Sequence, residues 1–148
     1  MTPEEYPKIY LYRRLVQAKL FIDARFRENI DLENIADEAY FSKFHFIRLF
    51  KKTYGRTPHQ YMTFVRIEEA KQMLMSPVPV SDVCYGVGFD SISSFTGLFK
   101  RMVGKTPSAF QEEQLKRKEE ITEKPLKFVP NCFAEKSGWT KIPGLDQR

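Results

Sequence analysis

Eight basic side chains in two short stretches form the clearest chemistry-bearing pattern in the sequence. Residues 42–61 hold Lys43, Arg48, Lys51, Lys52 and Arg56 and no acid. Residues 91–110 hold Lys100, Arg101 and Lys105 and again no acid. These stretches carry +5 and +3, whereas the whole chain carries only +5, so the remainder is net negative. Ammonium and guanidinium groups concentrated in this way neutralise phosphates and release counterions, the electrostatic footprint of a nucleic-acid partner. Charge alone leaves a solvated basic helix face as the alternative.

Other chemistries find little support. His45 and His59 are too far apart for a local metal pair, and Cys84 and Cys132 lack metal-ligand spacing. Two distant cysteines suit a reducing compartment, and a disulfide between them has no independent support. There is no nucleophile–base set, no metal cluster and no glycine-rich phosphate loop, so neither catalysis nor a cofactor is expected. No run approaches the roughly 18–20 apolar residues that span a bilayer. The start, MTPEEYPKIY, lacks the basic-then-apolar order of a signal peptide. A cytoplasmic protein without a membrane partner is expected. With 42% hydrophobic residues, the 148-residue chain can bury the core of one domain or of two small subdomains.

The elements that position the basic residues come from an internal repeat. SKFHFIRLFKKTYGRTPHQY (42–61) aligns without a gap on SISSFTGLFKRMVGKTPSAF (91–110), offset by 49 positions. Eight of the 20 pairs are identical, among them Phe46/Phe95, Phe50/Phe99 and Gly55/Gly104, too many for chance. Each copy has the same punctuation. Ser42 and Ser91 are good N-caps. Phe46, Leu49, Phe50 and their partners Phe95, Leu98, Phe99 form one buried helical stripe. Gly55 and Gly104 suit the left-handed end of a helix. Thr57-Pro58 and Thr106-Pro107 then cap and open the next helix.

Short helical segments precede each copy. DLENIADEAY (31–40) opens at Asp31 and buries Leu32, Ile35 and Ala36. PVSDVCYGVGF (79–89) opens at Pro79, with Val80, Val83 and Cys84 on its apolar side. A short helix, a tight turn and a Ser-capped helix make a helix-turn-helix. Residues 10–27 read as another helix, with Leu11, Leu15, Ala18 and Ile22 inward. Residues 58–75 read as a long one with Tyr61, Val65, Ala70, Met73 and Leu74 inward, stopped by the prolines of SPVPV. The predicted fold is all-α: two helix-turn-helix subdomains joined by a long linker helix, about seven helices in all.

GFDSISSFTGLFKRMVGKTPSAF (88–110), SKFHFIRLFKKTYGRTPHQY (42–61) and RIEEAKQML (66–74) together resemble the DNA-binding domain of the AraC/XylS family of bacterial transcription regulators. The resemblance runs from about residue 8 to 113. It implies a DNA-binding domain over 1–113. The first helix-turn-helix would lie at about 31–55, the linker helix at 57–76, the second motif at 79–104 and a last helix from 106. It implies sequence-specific binding of double-stranded promoter DNA, more often as an activator, with the helices over 42–54 and 91–103 in successive major-groove segments. A tandem repeat needs no two-fold axis, so a monomer on an asymmetric site of about two helical turns is expected.

By this resemblance Phe44, Ile47 and Arg48, with Lys43 beside them, are the base-facing candidates of the first copy. Ile92, Ser93 and Thr96 are those of the second. Arg48 is the first choice, because a guanidinium pairs bidentately with guanine; a phosphate contact is its alternative. Ile47 reads equally as a thymine-methyl contact or as core. Ser42, Lys51, Lys52 and Arg56, and Ser91, Lys100, Arg101 and Lys105, are the phosphate-facing candidates. Two positions depart from the family pattern. Gly97 stands where the first copy has Arg48, which implies weaker base reading by the second copy. Ala39 stands where the second copy has Gly88.

About eight residues precede the first expected helix, so no sensor domain is expected, and control would come from protein amount or a partner. The extension 114–148 continues the last helix through QLKRKEEITEK. Beyond it lie three prolines, Phe128, Phe133 and Trp139. It reads as a disordered or self-packed tail, or as a docking element for another protomer or RNA polymerase.

Overall fold

Helix boundaries in this chain trace to local sequence signals. The computed structural model describes residues 5–32 and 43–123. Within them lie six helices and no strand: α1 (Glu5–Arg25), α2 (Lys43–Tyr54), α3 (Pro58–Met73), α4 (Val80–Gly86), α5 (Ile92–Val103) and α6 (Pro107–Glu123). The helix read at 31–40 falls almost wholly outside the described residues, as do Ser42, Ala39, Cys132 and Trp139.

The repeated punctuation has a physical basis in both copies. Gly55 and Gly104 adopt φ of +77° and +93°, and their amides donate to Lys51 O and Lys100 O at 2.7 and 2.9 Å. A side chain would be strained there, so each glycine lets the chain leave its helix sharply. Thr57 Oγ1 then accepts from Gln60 N at 3.2 Å, while Gln60 Oε1 accepts from Thr57 N at 3.0 Å. This reciprocal capping box satisfies two amides at the start of α3. In the second copy Thr106 Oγ1 accepts from Ala109 N at 3.2 Å, and Ser91 Oγ accepts from Ser94 N at 3.4 Å. Caps of this kind are worth about 1 kcal/mol each.

Two cores form on either side of α3. Leu15, Ala18 and Ile22 of α1, Phe46 and Phe50 of α2, and Met62 of α3 make the first. Ile67, Ala70 and Leu74, together with Val83, Cys84, Val87, Phe95, Phe99 and Phe110, make the second. The single inward face read for the linker helix is therefore corrected. Met62 and Ile67 are buried, whereas Tyr61, Val65 and Met73 are only half-buried. At 100° per residue, Met62 lies on the order of 110° around the helix from the Ile67/Ala70/Leu74 face. A helix that serves two cores shows no single stripe in its sequence. The connection that follows it is held by Gln111 of α6, whose Nε2 donates to Ser76 O and Val78 O at 3.0 and 2.7 Å.

Candidate nucleic-acid interface

Burying Phe46 and Phe50 on one side of α2 commits the opposite side to solvent. Phe44, Ile47, Arg48 and Lys51 occur at i, i+3, i+4 and i+7 and so form one ridge. Phe44 is 74% exposed, and Lys43, Arg48, Lys51 and Lys52 are exposed as well. An apolar ring that open to water is an unusual use of a phenylalanine, because such side chains are normally buried. Ile47 is half-buried and packs against the first core, so it serves packing and leaves only part of its surface accessible.

Helix α5 repeats the ridge in register with Ser93, Thr96, Gly97 and Lys100. Ile92 is 43% exposed, Ser93, Lys100 and Arg101 are exposed, and Thr96 is half-buried. A Cβ at Gly97 would meet nothing within 4 Å, so the ridge has open space where α2 carries Arg48. Ser91 is half-buried, and its hydroxyl is occupied as the cap of α5. Ser42 lies outside the described residues.

Neither helix has an acid in its first turn. Lys51 and Lys52 close α2, and Lys100 and Arg101 close α5, where cations also favour the helix dipole. Arg48, Lys51, Lys52, Lys100 and Arg101 enter no ion pair among the described residues. These helices present a surface of fixed positive charge interleaved with small and apolar groups, suited to phosphates at its edges and base edges along its ridges.

Among the basic candidates, Arg56 and Lys105 are engaged within the protein. The Arg56 guanidinium lies 4.0 Å from the Phe64 ring centroid, a cation–π contact. Lys105 pairs with Glu113 of α6. The sequence reading missed Glu113 because the acid lies just beyond the 20-residue repeat. The pair is exposed and of the kind worth about 1 kcal/mol or less, so it holds Lys105 only weakly. His45 and His59 are exposed, and no three metal-capable side chains converge among the described residues. Cys84 is buried, and burial pushes its thiol pKa up, which keeps the sulfur in its unreactive protonated form.

Sequence reading gave no role to Arg66, and it used Gly88 only as part of the stretch that carries the family resemblance and as the counterpart of Ala39. Arg66 and Gly88 meet where α1 ends against the turn before α5. The glycine at position 88 is a sequence signal there, because its φ of +103° favours that residue.

Comparison with known proteins bears on the family and the fold. The family of the helix-turn-helix domain matches residues 35–113. A 93-residue stretch is 36% identical to the bifunctional transcriptional activator/DNA repair enzyme AdaA of Bacillus subtilis, covering 62% of this chain and 44% of that protein. A 110-residue stretch is 36% identical to the MmsAB operon regulatory protein of Pseudomonas aeruginosa, covering 69% and 36%. The chain thus spans less than half the length of these curated relatives. Among solved structures, the DNA-binding domain of AdpA, a global transcriptional factor in complex with a target DNA, aligns with a TM-score of 0.62 and 27% identity. That alignment covers 75% of this chain and 96% of that one.

Proposed function

We propose a function from one premise: the chain belongs to the AraC-type family of helix-turn-helix transcription regulators. It binds double-stranded promoter DNA sequence-specifically, as a monomer in the cytoplasm, and lays α2 and α5 into successive major-groove segments on one DNA face. The observation that carries this reading is the pair of exposed, acid-free ridges in matching register on either side of α3. A protruding helix fits the major groove, where each base pair displays a distinct pattern of donors and acceptors.

Roles divide by chemistry. Lys51, Lys52, Lys100 and Arg101 grip phosphates and set the register, with Arg56 and Lys105 joining once their internal partners give way. Arg48 reads a guanine, and Phe44 offers an apolar edge to a thymine methyl. Lys43, Ile92, Ser93 and Thr96 border the same ridges, and the accessible part of Ile47 adds to the apolar edge. Because Gly97 presents no side chain, α5 contributes more to grip than to readout. The site is asymmetric and about two turns long. Activation is the regulatory sense we favour, since AdaA is named an activator. RNA polymerase is the partner such a role requires. No catalytic step is assigned; the repair activity in the name of AdaA belongs to that longer protein.

Selection of bound sequences from a random duplex library at near-physiological salt tests the reading, with Arg48→Ala in parallel. Enrichment of one asymmetric site, with preference relaxed at a single position in the variant, supports it. Salt-sensitive binding without enrichment would replace it with an architectural role in which DNA is held but not read.

A further inference from the structure

Outside the shared helix α3, the two halves of the molecule meet at a joint around Arg66. Helix α1 belongs to the first half, and it leaves carbonyls without helical partners at its C-terminal end. Arg66 of α3 takes up two carbonyls just beyond that end. Its Nε donates to Phe26 O at 2.7 Å, and its Nη2 donates to Glu28 O at 3.0 Å. A guanidinium suits this task, because its rigid planar fork reaches two acceptors at once.

The second half is seated on the same spot. Gly88 lies in the turn between α4 and α5, and a Cβ there would stand 2.8 Å from Phe26 O and 3.0 Å from both Arg27 O and Arg66 Nε. The turn therefore rests directly on the end of α1, with no room for a methyl group. The Arg66 guanidinium also lies 5.7 Å from the ring centroid of Phe89, the next residue of that turn. Arg27 pairs with Glu69 of α3 at 2.5 Å beside the joint, though largely in solvent. A shared helix alone resists separation of the two halves better than rocking between them. A second contact off its axis resists rocking.

We infer that Arg66 is a positioning residue that sets the angle and separation of α2 and α5, and through them the spacing of the two half-sites accepted on DNA. This rests on the promoter-binding reading above. It adds that spacing is chosen by a side chain engaged with the protein's own backbone. One inserted base pair moves a half-site by about 3.4 Å and rotates it by about 35°, a displacement that a locked pair of helices does not follow.

The test uses the full chain and duplexes carrying its selected site with one or two base pairs inserted or removed between half-sites. A duplex with one half-site is the control. Wild type should bind best at one spacing and lose about tenfold or more for one inserted pair, comparable to a mismatched base. Arg66→Lys keeps the charge but loses the fork. It should cut that loss to about threefold or less and leave single-half-site affinity unchanged. Gly88→Ala wedges the turn off α1 and should shift or broaden the optimum. A folded Arg66→Lys protein with the wild-type spacing preference overturns the inference. So does equal weakening at every spacing and on the half-site alone, which marks a merely structural residue. If Arg66→Lys does not fold, Glu69→Gln decides between the same outcomes as a milder lesion on the joint. A wild-type protein indifferent to spacing would instead remove the two-helix reading on which the inference rests.

Discussion

Tyr61 of α3 donates a 2.5 Å hydrogen bond to Asp23 of α1, whose other carboxylate oxygen accepts from Lys19 at 3.0 Å. The Lys19 ammonium also sits 5.4 Å from the Tyr61 ring centroid. This half-buried clamp ties the linker helix to the first helix across 38 positions of sequence.

Tyr61→Phe removes a hydrogen bond to a charged acceptor and should cost about 1.5 kcal/mol, the low end for such bonds because the site is partly solvated. The clamp also predicts a pH dependence. The Lys19 pKa is raised, first by its hydrogen bond to Asp23, and the Tyr61 pKa is raised, first by burial. Groups raised in the folded state stabilise it below their ordinary values, here 10.5 and 10.0, and that stabilisation is lost as pH rises past them. Stability against urea should therefore be insensitive to these groups near pH 7 and should fall above about pH 10. The decline should be shallower in Tyr61→Phe; an identical decline would exclude the phenol from it.

Arg48→Ala and Lys51→Ala should separate readout from grip. The first should lose about 1–3 kcal/mol of discrimination at one base position. The second should weaken all sequences alike and reduce the salt slope by about one. Titrations of matched and mismatched duplexes at several salt concentrations distinguish the two. Uniform weakening by Arg48→Ala would make that residue a phosphate contact.

Gly97 and Gly104 should respond to alanine in opposite directions. Gly97 is helical with open space beyond it, so alanine should stabilise the protein by about 0.5–1 kcal/mol. Gly104 has the same open space but a φ of +93°, so alanine should destabilise it by about 1 kcal/mol or more. Thermal unfolding of the two variants checks both signs. A destabilised Gly97→Ala protein would mean that the ridge of α5 needs the gap.

Glu113→Gln should release Lys105 from its ion pair and remove a negative charge beside α5. Affinity for DNA of any sequence should rise slightly at low salt, with a salt slope steeper by up to about 0.9. Stability should change by less than about 1 kcal/mol, as expected for an exposed pair. Unchanged binding at low salt would place Lys105 away from the phosphates.

The features readable from the sequence are those whose physics is local. A Ser or Thr hydroxyl caps the amides three residues on, a glycine with positive φ ends a helix, and two phenylalanines four apart define its buried side. Thr57, Gly55, Gly104 and the Phe46/Phe50 and Phe95/Phe99 pairs were legible for that reason, as was the all-α class. The repeat also made the basic ridges visible, because helical spacing determines which side chains share a face once the buried side is known.

Tertiary structure alone decided which of those side chains are available and how the two halves are held. Arg56 contacts the Phe64 ring, Lys105 meets Glu113, and Ile47 packs against the first core, each through a partner outside its own ridge. The two faces of α3 emerge only once there are two cores to bury them. The joint of Arg66 with Phe26, Glu28 and Gly88 joins residues as far apart as Phe26 and Gly88 through backbone carbonyls, which carry no sequence identity. Local spacing encodes a helix and its faces, whereas the meeting of distant faces depends on packing that no short segment contains.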